Sequence, residues 1–240
     1  MEADIRIFET PVELASAFAR ELYEMALRFH DQGKNMYVAL SGGSTPNILY
    51  TILASDFSKT MPWSCIQFFW GDERCVPSGH PESNYGMSHA SLFSKIEIPP
   101  ANLHRIRGEA DPQVEVLRYA SEIKSTLPSE NQVPIFDLII LGLGEDGHTA
   151  SIFPNQMSIL QSDKICEISV HPQSGQKRIS LSGKVINSAG WIVFLVTGSN
   201  KSRIARSVIN ERKRFFPAAH ISPVSGKLSW FLDKSVARGL

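Results

Sequence analysis

Residues 136–154 read FDLIILGLGEDGHTASIFP. The first part, Leu138 to Leu141, is continuously apolar. The second breaks into Gly142, Gly144 and Gly147, with Glu145 and Asp146 among them. A short apolar run bounded by glycines predicts a strand buried on both faces of a parallel sheet. Glycines just past its end let the backbone turn sharply and approach a ligand closely. In open α/β sheets, ligands sit outside the carboxyl ends of strands. The stretch therefore sets an acid, Asp146, and an imidazole, His148, where chemistry is usually found. His148 and Thr149 are expected to open a helix. The same residues also fit a structural turn with a capping Asp and a bystander His, and this stretch alone leaves both readings open.

Working outward, the same alternation recurs. Ile5–Phe8 reads as a strand. Thr10-Pro11-Val12-Glu13 gives a helix start, with Thr as N-cap, Pro at the first helical position and Glu three residues after the cap. That helix should run to about His30 and stop near Gly33, with Leu14, Phe18, Leu22, Met25 and Phe29 on one face. Met36–Leu40 is the next strand, emptying into SGGSTP at 41–46 before a helix over Asn47–Leu53. Ile66–Trp70 is a third strand, followed by a long polar loop, 71–87. Further helices are expected over Tyr85–Phe93 and from Asp111-Pro112 to Leu127, with a strand near Asn102–Ile106 between them. Beyond the glycine turn, Ile165–Val170 and Arg178–Leu181 read as strands and Ser182 caps a short helix through Asn187. Trp191–Val196 is a second buried strand ending in TGSNK, 197–201, before a helix to Ile209. Leu228–Leu232 is a last strand. Strands alternating with helices at this spacing predict a mostly parallel sheet covered on both faces. No linker forces a cut, so 1–240 reads as one domain.

Composition narrows the classes of function. Apolar residues make up 42% of the 240, enough for a sizeable core, and the formal net charge is zero. Nothing there indicates a nucleic-acid binder. Cys65, Cys75 and Cys166 show neither CxxC spacing nor an even count, which fits a reduced protein better than a disulfide scaffold. The N-terminus lacks the apolar core of a signal peptide. No apolar run approaches the roughly 18 residues of a membrane helix. A cytoplasmic protein without a membrane or an obligate protein partner is expected.

Four loops, 41–46, 71–84, 142–148 and 197–201, follow predicted strands and precede predicted helices. In a parallel sheet all four open on one edge. SGGSTP offers amides freed by Gly42 and Gly43, hydroxyls on Ser41, Ser44 and Thr45, and a helix start, which together suit a small anion such as a phosphate ester. It is neither a Walker loop nor GxGxxG, so nucleotide binding is not indicated. An ordinary capped turn fits it too. Arg74 and Lys201 can supply charge to a phosphate, at roughly 1.5–3 kcal/mol per charged hydrogen bond. Each can equally be a solvated cation, as can Arg178. Asp72 and Glu73 are adjacent and would face opposite ways on an extended segment. Asp72 is the one expected to reach a ligand or orient a base, and Glu73 to be structural. The remaining histidines have no metal-ligand spacing and no Cys/His cluster exists, so no metal is expected. No GxSxG elbow is present, which argues against a serine-nucleophile hydrolase.

The motifs occur together in a familiar order. SGGSTP, FFWGDERCVPSGHPESNYGM, FDLIILGLGEDGHTASIFP, RISLS and FLVTGSNK resemble the 6-phosphogluconolactonase family over nearly the whole chain. That resemblance implies a three-layer α/β/α Rossmann-like fold shared with glucosamine-6-phosphate deaminases, and no cofactor. It implies hydrolysis of a sugar-phosphate lactone, 6-phospho-D-glucono-1,5-lactone, to 6-phosphogluconate in the oxidative pentose phosphate pathway. Carried over residue by residue, Gly42, Gly43, Ser44, Thr45, Arg74 and Lys201 match the phosphate-holding positions, and His148 the catalytic histidine. Asp72 and Asp146 match acidic positions near the ring, and Arg178 an arginine facing the substrate. Ser180 stands where threonine is common, and Gln176-Lys177 replaces a more proline-rich lead-in to Arg178. Deaminases resemble this chain through the DGH turn but carry a glutamate five positions after the histidine, where this chain has Phe153. A non-catalytic sugar-phosphate sensor on the same scaffold is the other alternative. It would keep the binding loops without hydrolysis.

Overall fold

In the computed structural model, which describes residues 3–240, Leu138–Leu141 forms the middle strand of a seven-stranded sheet and is buried along its whole length. The elements run β1 (Asp4–Phe8), α1 (Pro11–Asp31), β2 (Met36–Leu40), α2 (Ser44–Asp56), β3 (Ile66–Trp70), β4 (Asp72–Arg74), α3 (Asn84–Ser91), β5 (Leu103–His104) and α4 (Pro112–Thr126). A small hairpin, β6 (Ser129–Glu130) and β7 (Val133–Pro134), leads into β8 (Leu138–Leu141). Then come β9 (Cys166–Val170), β10 (Lys177–Leu181), α5 (Gly183–Asn187), β11 (Trp191–Val196), α6 (Ser202–Ile209), β12 (Lys227–Asp233) and α7 (Lys234–Ala237).

The large sheet has the order β1-β12-β11-β8-β2-β3-β5, and every pairing in it is parallel. From β2 the chain steps outward through β3 to β5. From β8 it steps the other way, through β11 to β12. The direction reverses between β2 and β8, which lie side by side, with Val38 paired to Leu138. Such a switch point leaves a crevice at the carboxyl ends of the two strands. The loops after β2 and β8 are SGGSTP and the DGH turn, so topology alone brings them together.

The sequence explains the core. Thr10 Oγ1 accepts from the Glu13 amide at 3.1 Å and Pro11 occupies the first position of α1, as expected from the cap motif. The face α1 buries is Leu14, Ala15, Phe18, Ala19, Leu22 and Ala26. Met25 and Phe29 are only partly buried, because the helix rolls onto its alanines to approach the sheet. Phe18 then meets Trp191 and Phe231 edge-on, at 5.7 and 5.3 Å between centroids. Phe194 stacks on Trp230 at 3.9 Å across β11 and β12.

Four local expectations need correction. Helix α2 starts at Ser44, ahead of the expected Asn47, so Pro46 lies inside its first turn, where its missing N–H costs nothing. The strand expected over Asn102–Ile106 pairs only at Leu103 and His104. The loop 71–87 contains β4, which joins β10 and β9 in a separate antiparallel sheet. His148 and Thr149 open no α-helix. Ala150 has a positive φ of 48°, and Thr149 bridges to Ile152 instead. A 3₁₀ helix begins only at Pro154. A helix begun at 148 would meet Pro154, whose ring clashes with the carbonyl four residues back and which has no N–H to donate. Among the described residues, no helix is long and apolar enough to cross a membrane.

Candidate active site

The cleft at the switch point is lined from both halves of the sheet. One wall is the loop after β2. Gly43 sits at φ +107°, a conformation L side chains rarely adopt, and hands the chain directly into α2. Gly42 is required for a different reason: a Cβ there would lie 1.9 Å from Asn84 Oδ1. The amides of Ser44 and Thr45 are first-turn donors with no partner inside the helix. They present partial positive charge to the cleft. Thr45 Oγ1 lies 2.7 Å from Thr197 Oγ1, which ties this loop to the one after β11. In that second loop Gly198 takes φ +99° and its N–H donates to Asp233 Oδ2 at 3.1 Å. Lys201 follows. Burial draws its ammonium below the usual lysine range, against the opposing pull of Glu145 and Asp146.

The opposite wall is the small sheet. Its register sets Arg178 opposite Arg74 and Ser180 opposite Asp72, so all four side chains share one face. Two like charges directly opposite one another destabilise a sheet unless an anion joins them. Burial, and then Arg74, pull the Arg178 guanidinium below its ordinary range. Arg178 lies over the Phe153 ring at 5.5 Å, and Arg74 Nη1 donates to the Glu82 carbonyl at 2.7 Å. The Nε–H groups of both arginines are buried with no protein acceptor.

Glu73 points to the other face, as an adjacent residue on a strand must. It accepts from the amides of Arg74, Asn84 and Tyr85 at 2.8, 2.7 and 2.8 Å and from the Ser83 hydroxyl at 3.0 Å. Burial pushes its carboxyl above the usual range, and the three amides pull it back. Glu73 is thus the post on which the 71–87 segment is wound. Glu73→Ala should strand those amides and cost about 3 kcal/mol of stability, read as a lower urea midpoint with an unchanged m-value.

The base of the cleft is the glycine turn. Gly144 N–H donates to the His148 carbonyl at 2.9 Å, Gly147 N–H to the Gly144 carbonyl at 3.0 Å, and Thr149 Oγ1 to the Gly142 carbonyl at 2.9 Å. A Cβ on Gly144 would lie 2.1 Å from His148 Nδ1, and one on Gly147 would enter the Phe216 ring. Asp146 Oδ1 accepts from the backbone N–H of His148 at 3.1 Å and from its Nδ1 at 2.5 Å. Burial alone would raise the Asp146 carboxyl, but the hydrogen bond and charge of His148 outweigh it and hold the group below the usual carboxylate range. An ionised carboxylate only accepts, so Nδ1 carries a proton, and in the neutral imidazole Nε2 is left with a lone pair. Phe153, fully buried, backs the imidazole at 4.9 Å between ring centroids.

Gly42, Gly43, Ser44, Thr45, Asp72, Arg74, His148, Arg178 and Lys201 all line this one cleft. Asp146 stands behind His148 instead of on the lining. Sequence reasoning passed over Asn84, Ser151 and Thr197, whose only signals were hydroxyl or amide side chains inside already suspicious motifs. Among the described residues, no group of three or more His, Cys, Asp or Glu is placed to hold a metal ion.

A family model for glucosamine-6-phosphate isomerases/6-phosphogluconolactonase matches residues 9–230. The chain belongs to this family. It is 42% identical to the 6-phosphogluconolactonase of Haemophilus influenzae over 206 residues, covering 85% of this chain and 87% of that one. Against the 6-phosphogluconolactonase of Rattus norvegicus it is 32% identical over 238 residues, covering 98% and 92%. The structure of 6-phosphogluconolactonase from Trypanosoma brucei superposes with a TM-score of 0.87 at 28% identity, covering 100% and 99%. A monomeric glucosamine-6-phosphate deaminase shares the fold with a TM-score of 0.83 at 19% identity. Both branches of the family therefore use this scaffold, and the site must separate them. Five positions after His148 stands the buried ring of Phe153, packed against His148 and Arg178.

Proposed function

We propose that this cleft hydrolyses 6-phospho-D-glucono-1,5-lactone to 6-phosphogluconate, with His148 as general base and then general acid. The reaction is the second step of the oxidative pentose phosphate pathway. One observation carries the mechanism: Asp146 Oδ1 lies 2.5 Å from His148 Nδ1 in a cleft that His148 lines, which supports an Nδ1–H tautomer with Nε2 as the base. The phosphate is held by the Ser44 and Thr45 amides with Lys201 and Arg74. That leaves the lactone ring over His148.

Water attacks C1 as its proton passes to Nε2. The tetrahedral intermediate collapses with cleavage of the C1–O5 bond, and O5 takes the proton back from Nε2. The acid formed at C1 then ionises and releases one proton. A lactone carbonyl is already electrophilic, so no covalent nucleophile is needed. The Gly144 and Gly147 amides are engaged within the turn. This favours Arg178, which lines the cleft, as the donor to the developing oxyanion. Phe153 cannot shuttle protons, which favours lactone hydrolysis over deamination.

The test is lactone disappearance in a coupled assay, with spontaneous hydrolysis subtracted, beside ammonia release from glucosamine 6-phosphate. Turnover in the first and none in the second is expected; the reverse would contradict the reading. Arg74→Ala should raise KM roughly 10- to 100-fold while kcat changes little, because a phosphate contact is made equally in ground and transition states.

A further inference from the structure

Ser151 is fully buried and has no part in the chemistry described above. It belongs to the strap 149–153 that follows His148. Its hydroxyl donates to Asp72 Oδ2 at 2.6 Å, and its oxygen lies 3.5 Å from Arg178 Nη1. Its own N–H donates to Ser180 Oγ at 3.2 Å. One small side chain thus touches β4, β10 and the strap that carries the catalytic histidine.

Asp72 and Arg178 are diagonal neighbours on one face of the small sheet, since Ser180 faces Asp72 and Arg178 faces Arg74. Side chains so placed are within reach of one another when one of them is long. Both are buried, at 5% and 8% exposure, where a direct ion pair between opposite charges is strongly favoured. Yet they do not pair. Ser151 stands between them, giving its proton to the carboxylate and its lone pair to the guanidinium. Arg178 is instead drawn over the Phe153 ring with Nε–H unpartnered.

We infer that Ser151 is a positioning residue that keeps Asp72 and Arg178 from collapsing into a direct ion pair, so that both remain available to the substrate. Asp72 is kept as an acceptor for a sugar hydroxyl. Arg178 is kept as a donor to the C1 end. The hydroxyl matters because it satisfies both charges at once. A methyl in its place satisfies neither, and the two buried charges then find each other. The inference rests on the lactonase reading for its kinetics, but not for its structural consequence.

The experiment is a crystal structure of Ser151→Ala beside kinetics of Ser151→Ala, Ser151→Thr, Asp72→Asn and the double variant Ser151→Ala/Asp72→Asn. Ser151→Ala is expected to show Arg178 moved off Phe153 and hydrogen-bonded directly to Asp72. Its kcat/KM and its affinity for 6-phosphogluconate should fall roughly 10- to 100-fold, with a smaller change in unfolding midpoint. Ser151→Thr keeps the hydroxyl and should recover most of the loss. The double variant should be no worse than Asp72→Asn alone, because without the carboxylate there is nothing to trap the arginine. Arg178 unmoved in Ser151→Ala with wild-type affinity, or losses that simply add in the double variant, would overturn the inference. Should the wild type hydrolyse no lactone above background, the functional reading fails, while the position of Arg178 in Ser151→Ala still decides this one.

Discussion

His148→Ala is expected to lower kcat by about 10²–10⁴-fold, the usual contribution of a positioned general acid–base, while leaving the affinity for 6-phosphogluconate nearly intact. The split follows from the layout of the cleft. The imidazole is held by the glycine turn after β8, through Asp146 and the Phe153 ring. The proposed phosphate donors belong to other elements: the loop after β2, the loop after β11, and β4. Removing the ring therefore takes away proton transfer without loosening the cradle. The remaining rate should come from orientation and the oxyanion donor. Comparing initial rates with titrated binding of the product separates the two. A variant with full kcat would show that water is activated elsewhere.

Asp146→Asn is expected to be the next most damaging change, on the order of 10²-fold in kcat, the worth of a hydrogen bond to a charged group. In the proposed mechanism the carboxylate does two things at once. It dictates which nitrogen carries the proton, and it stabilises the imidazolium that forms when Nε2 takes the proton from water. An amide can present either its oxygen or its NH₂ to Nδ1. It fixes the tautomer less firmly and offers no countercharge. A parallel effect should appear in stability. The folded Asp146 carboxyl lies below its unfolded value of about 3.9, so its contribution is fully present above that pH. It is lost as pH falls through the lowered folded value. The stability gap between wild type and Asp146→Asn should therefore narrow in acid, as measured by denaturant melts from pH 6 down to 2.

Much of this was legible in the chain because the signals were local. Leu138–Leu141 and Trp191–Val196 read as strands buried on both faces from their short, glycine-bounded apolar runs, and the glycines at their ends mark where ligands approach. The alternation of Asp72 and Glu73 on an extended segment predicted one facing the cleft and one facing away, and the register with β10 places them so. What escaped was non-local. β4 looks like loop, because three polar residues become a strand only when β10 arrives from over a hundred residues later to pair with them. From the sequence, His148 and Thr149 read as a helix start. The positive φ of Ala150 and the block at Pro154 decide otherwise. Ser151 carries no signal beyond a hydroxyl inside the DGH motif, since a buried serine takes its meaning from Asp72 and Arg178, neither of them near it in sequence.

The most direct test of the central claim is a crystal structure of the protein with 6-phosphogluconate bound. The phosphate should sit on the Ser44 and Thr45 amides within reach of Lys201 and Arg74, and the C1 carboxylate within hydrogen-bond distance of His148 Nε2. A phosphate bound outside this cradle, or a C1 carboxylate turned away from His148, would contradict it.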